Sequence, residues 1–91
     1  MSASDSPWQW AKDDFLSRGY TVREIETEFG RALYPGQVQK GLVVAPLGLL
    51  PRGERWAVLR TPPCGPVEIE EFGSVELACE AMRRRLSEEF R

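Results

Sequence analysis

"TVREIETEFGRALYPGQVQ", residues 21–39, decides the fold, because it reads as helix or as strand according to which periodicity carries the weight. Thr21-x-x-Glu24 has the form of a capping box, in which a hydroxyl and a carboxylate three residues on satisfy two orphan backbone donors. Val22, Ile25, Phe29, Ala32 and Leu33 follow at helical spacing and fall on one stripe. The competing strand leans on the β-branched Thr21, Val22, Ile25 and Thr27. Strict alternation, however, puts Ile25 and Phe29 on the face opposite Val22. Residues 20–33 are therefore expected to be a helix, with partial strand as the alternative. Gly30 weakens that helix by about 1 kcal/mol, and Pro35-Gly36 ends it.

Upstream, Ser6-Pro7-Trp8-Gln9 is a helix start: an accepting serine, a proline where its missing donor is harmless, and a glutamine completing a capping box. Trp8, Ala11, Phe15 and Leu16 give the apolar side, and Gly19 follows as a left-handed stop, so a first helix is expected over residues 7–18. From Gln37 the period changes. "QVQKGLVVAPLGLL" (37–50) reads as a β-rich apolar stretch, "PRG" (51–53) as a turn, and "ERWAVLRT" (54–61) as a strand. "PPCGP" (62–66) is a second turn, and "VEIEEF" (67–72) alternates Val67 and Ile69 against Glu68 and Glu70. That alternation is expected to turn the aliphatic pair inward and both acids onto the open face of an antiparallel sheet. Ser74 caps a last helix whose stripe is Val75, Ala78, Cys79, Met82, Leu86 and Phe90. The expected fold is α+β, in the order α-α-β-β-β-α: a helical pair, a three-stranded meander and a C-terminal helix on one sheet face. Residues 6–91 would form this one domain, behind a loose tail at residues 1–5.

Composition narrows the chemistry. Ninety-one residues suit one small domain, and 12 basic against 14 acidic side chains leave a net charge of −2, without the basic excess that marks polyanion binders. There is no histidine, so Cys64 in its proline-glycine turn lacks the base or cation that activates a thiol, and Cys79 on the helical stripe reads as a small hydrophobe. No catalytic residues, cofactor or metal site are expected, and the chain is expected not to be an enzyme. Glu68 and Glu70 on an open sheet face do not complete a calcium or magnesium shell. The N-terminus has no basic and apolar segments of a secretory signal, and "GLVVAPLGLLP" (41–51) is too short and too broken to span a membrane. A cytoplasmic protein is expected. Arg83-Arg84-Arg85 fans across about 200° of a helix, and Glu80, Glu88 and Glu89 balance it.

Two stretches resemble nucleic-acid binders. "FLSRGYTVREIETEFG" (15–30) resembles the first part of a helix-turn-helix, although Pro35 and Gly36 leave no room for a recognition helix and Glu24, Glu26 and Glu28 give the wrong sign. "GERWAVLR" with "VEIEEFGSVELACEAMRRRL" (53–60, 67–86) is similar to the three-strand-plus-helix pattern of AP2-type and integrase arm-binding domains. That resemblance implies a sheet in the major groove read by Arg55 and Arg60, with Glu68 and Glu70 also facing the duplex. The leading expectation is instead a non-enzymatic protein-binding module, an inhibitor or adaptor. Phage-encoded anti-defence inhibitors and immunity proteins are often of this size and charge. Its expected contacts are Glu68, Glu70 and Glu71 toward a basic partner, with Trp10 and Tyr34 as aromatic anchors. DNA-binding regulation is the alternative, and a homodimer is compatible with so thin a core.

Overall fold

The computed structural model describes residues 6–62 and 64–90; the tail expected at residues 1–5 lies outside them. Its elements are α1 (Pro7–Ser17), β1 (Thr21–Thr27), β2 (Gly30–Gln39), β3 (Leu42–Val44), β4 (Leu47–Arg52), β5 (Arg55–Arg60), β6 (Glu68–Phe72) and α2 (Val75–Glu89). Two helices thus flank a six-stranded antiparallel sheet, ordered β1-β2-β4-β5-β6 with β3 paired to β2. This overturns the expected helical pair and three-stranded meander. Residues 21–39 are a β-hairpin, and the sheet runs up and down from one end of the chain to the other.

The physical reason lies in where the sheet buries its side chains. Val22, Leu33, Leu47, Leu49, Trp56, Val58 and Phe72 pack under the helices with Phe15, Met82 and Leu86. Ala32, Leu50 and Leu59 are buried as well, in a second cluster with Tyr34, Val67 and Ile69. Cross-strand partners share a face, and Ile25 stands opposite Ala32. Val22 therefore belongs to one core while Ile25 looks toward the other. An alternation that places apolar residues on both sides is what a sheet buried on both faces requires.

Local chemistry then fixes the turns. The Thr27 hydroxyl accepts from the Phe29 N–H at 3.1 Å and donates to the Gly30 carbonyl at 2.6 Å, closing the β1–β2 hairpin at the Thr27–Gly30 pair. Ser6 and Ser74 cap the helices as expected, accepting from the backbone of Gln9 and Leu77. The Gln9 side chain goes to Asp13 instead of back to the cap. The two helices are joined by Arg83, which donates to Asp14 at 3.1 Å, and by Tyr20, whose ring lies 6.0 Å from Phe15 and 6.4 Å from Phe90.

Between β2 and its neighbour the register slips. Leu33 faces Leu49, but Gln37 faces Val44, so four residues on β2 advance against five on the opposing arm. Pro35 and Pro46 lack donors at this point, and a bulge is where a sheet tolerates proline. The extra residue tucks against Gly36, where a Cβ would meet the Val44 carbonyl at 2.6 Å. A second close approach sits at the sheet centre. The Tyr34 ring lies on Gly48, and a Cβ there would come within 2.6 Å of Cζ. Burial of the ring raises the Tyr34 hydroxyl pKa.

Gly48→Ala is expected to destabilise the fold by about 1–3 kcal/mol, the usual cost of overpacking. In a Tyr34→Ala background the same change should cost close to nothing, as read by urea denaturation. Equal costs in the two backgrounds would reject the ring-on-glycine contact.

Candidate functional site

The β2–β3 hairpin carries the most exposed apolar surface of the described residues. Its two-residue turn, Lys40-Gly41, has both φ angles positive (53° and 81°). This is the handedness that matches the twist of the flanking strands in a tight hairpin. The arm consists of Gln37, Val38 and Gln39 paired with Val44, Val43 and Leu42. Val38 and Val43 share one face; Leu42 and Val44 share the other with the two glutamines. Leu42 is 71% exposed and Val38 62%, with Val43 and Val44 also exposed.

This exposure comes from how the neighbouring strands end. Pairing of β1 with β2 stops at Gly36, and pairing of β5 with β4 stops at Leu47. Among the described residues the arm continues alone beyond those points, and β3 pairs only with β2. Sequence reasoning read residues 37–50 as one apolar β-rich stretch and missed the turn. The signal available was Lys-Gly between aliphatic flanks, a poorer hairpin mark than Asn-Gly because lysine adopts positive φ reluctantly.

The acidic residues fall differently from expectation. Glu68 and Glu70 stand opposite Arg60 and Val58, on the helix-bearing side, and Glu71 stands opposite Ala57 on the other. Phe72 sets this parity: it packs with Trp56 in the core beneath the helices, which sends Val67 and Ile69 to the second cluster. The acids occupy the β6 edge instead of an open face. Arg85 bonds Glu70, Arg60 lies 4.0 Å from Glu68 and 3.9 Å from Glu89, and Arg55 and Arg52 approach Glu71 at 3.1 and 3.7 Å. These pairs are solvent-screened and each contributes about 0–1 kcal/mol. A shallow depression of about 280 Å³ lies among Val58, Arg60, Glu68, Ile69, Glu70 and Arg85. Both of its guanidiniums already face carboxylates, so it offers no free positive charge to an anion.

The aromatic candidates separate. Trp10 is 42% exposed on α1, while Tyr34 lies mid-strand with its ring on Gly48 and not at a turn. Neither resemblance to nucleic-acid binders survives in the form its motif implied. Residues 21–39 form a hairpin where a helix-turn-helix needs two helices. Arg55 pairs opposite Arg52 and shares the Glu71 side, whereas Arg60 lies on the helix side, so the two cannot read one groove from one face.

Cys64 is exposed in the β5–β6 loop, and Cys79 is buried beneath α2. Burial, reinforced by the Asp14 carboxylate, pushes the Cys79 thiol up to about 12. Among the described residues no helix is long and apolar enough to cross a membrane, and no three acidic or thiol side chains converge as metal ligands. Comparison with protein-family models, curated proteins and solved structures finds no match to this chain.

Two outcomes follow for the thiols. One cysteine per folded chain should react with a thiol reagent at pH 8, and two in denaturant. The folded chain also holds the Cys79 proton more tightly than the unfolded chain does, so stability falls as pH rises from about 9 toward 12, by up to about 1.4 kcal/mol per unit. Cys79→Val should flatten that part of the urea-denaturation profile; an unchanged slope would reject the assignment.

Proposed function

We propose that this chain is a small, non-enzymatic, cytoplasmic protein-binding module, an inhibitor or adaptor of a macromolecular partner, and that the β2–β3 arm is its contact element. The single observation that carries this reading is the exposed aliphatic set Val38, Leu42, Val43 and Val44 on an arm that, among the described residues, no other strand flanks. Fully burying a valine or leucine is worth about 1.5–3 kcal/mol. Leaving several in water on one projection is a standing cost that a partner removes. Contiguous exposed apolar surface marks interaction sites more often than it occurs by accident, and unpaired strand edges add backbone donors and acceptors to it.

The β6 edge, with Glu68, Glu70 and Glu71, and the exposed Trp10 are the secondary contacts in this proposal. The edge favours a partner with a basic surface and speeds encounter more than it holds the complex, since rim charges act chiefly on association rate. Trp10 supplies an amphipathic anchor of the type enriched at interfaces. Tyr34 is withdrawn as an anchor, because its ring is committed to Gly48.

The test is capture from a lysate of the source organism or its host by the tagged chain, with and without nuclease, beside the Leu42→Lys variant. A stoichiometric protein that survives nuclease and falls at least tenfold with Leu42→Lys is the expected result. Capture that needs nucleic acid, or retention on heparin at low salt, would move the chain to DNA binding. A protein captured equally by both forms would remove the arm from the site. Leu42 lies outside both cores, so the variant should keep the wild-type urea midpoint.

A further inference from the structure

We infer that, until a partner takes the arm, its occupant is a second copy of this chain, joined edge to edge through β3 so that the two sheets become one. The inference rests on the arm being the contact element and names what fills it.

Among the described residues four strand edges of this sheet lack a neighbour, those of β1, β3, β6 and the arm part of β2, and their chemistry differs. The β6 edge carries Glu68, Glu70 and Glu71; a second copy brought against it sets carboxylate against carboxylate, and like charges placed opposite are destabilising. Such charge is a common protection of an edge strand. The β1 edge carries Arg23, Glu24 and Glu26, and Glu24 is already held by Lys12 at 3.0 Å and approached by Arg31 at 3.8 Å. The β3 edge is Leu42, Val43 and Val44, with no charge at all. The arm part of β2, Gln37, Val38 and Gln39, is uncharged as well but carries two amides, so the β3 edge alone is wholly aliphatic with nothing that repels its own image.

The lane beside β3, on the side away from β2, holds no paired strand among the described residues. β5 would run alongside it if the strand continued past Arg60, but Thr61-Pro62 follows and the ladder ends there. Proline has no donor to give a strand pair. An antiparallel pairing centred on Val43 fills that lane and is self-complementary: Val43 faces Val43 of the second copy, and each Leu42 faces a Val44. Every facing pair is aliphatic, and the centre lies on a two-fold axis, the commonest symmetry of homo-oligomers. Two three-residue strands fall short of the roughly 1,200 Å² of a stable specific interface. The pair is therefore reversible and depends on concentration.

The experiment uses the full chain with Cys64→Ser, to remove the exposed thiol, and compares Val43→Cys with Val38→Cys. Residues facing each other across an antiparallel pair have Cα atoms about 4.5–5.5 Å apart, inside the roughly 4.4–6.8 Å window of a disulfide. The two Val38 positions are separated by two further strand spacings. Under mild oxidation Val43→Cys should form a covalent dimer at least tenfold faster than Val38→Cys. In sedimentation equilibrium Val43→Lys should weaken association of the otherwise unmodified chain about tenfold or more. Equal oxidation rates, or the mass of a single chain at every concentration, would overturn the self-pairing. If such a monomer still loses its captured protein with Leu42→Lys, the arm stands as contact element and only the occupant is wrong. If capture is indifferent to the arm as well, both readings fall.

Discussion

Leu47, Gly48, Leu49 and Leu50 of β4 are shut off from water on both faces of the sheet, and a strand in that position requires two cores from a chain whose helices pack against one. The helix-bearing side is supplied by Phe15 of α1 and by Met82 and Leu86 of α2. The other side is roofed by the sheet's own side chains, Tyr34 from β2, Ile69 from β6 and Val67 just before it, closing over Ala32, Leu50 and Leu59. Gly48 makes this roof possible, because the Tyr34 ring occupies the space where a Cβ would stand. A small domain buries a limited share of its surface, and here a ring laid flat across a glycine does part of the work of a missing layer.

The parts that were legible in the sequence are those governed by neighbours in the chain. Ser6 and Ser74 announce their helices because capping is a contact across three residues, and both helices begin where those serines place them. The stripe Val75, Ala78, Cys79, Met82 and Leu86 is buried as its spacing implies. Residues 21–39 were misread because Val22 and Ile25 serve opposite faces. An objection to strand built on their divergence holds only for a sheet with one dry face. Alternation along β6 likewise shows that Glu68 and Glu70 go together, but the side they take depends on Phe72 meeting Trp56 from another strand. Periodicity gives relative placement; a distant contact gives the absolute one.

The arm shows the same division. Its aliphatic composition is evident in "LVV", yet its exposure is a property of the residues that do not lie beside it. β1 begins its pairing at Gly36, and the β5 ladder ends at Arg60, just before Thr61-Pro62. Proline recurs at these decisions: Pro7 opens α1, while Pro35 and Pro46 flank the register slip that separates arm from body. Read singly, each is an ordinary breaker. Together they divide one long ladder into a part that is shielded and a part that is not.

The slip at Ala45-Pro46 has a bearing on how such a chain can change over generations. Because the arm joins the body through one bulge and shares no core residue with it, its length is a separable dimension of the molecule. Adding or removing two residues on each strand preserves which face every remaining side chain takes and moves the tip by about 7 Å. A change of one residue on one strand instead reverses the faces beyond it. Drift in length along this hairpin is therefore quantised, and the reach of the projection can evolve while the folded body stays the same.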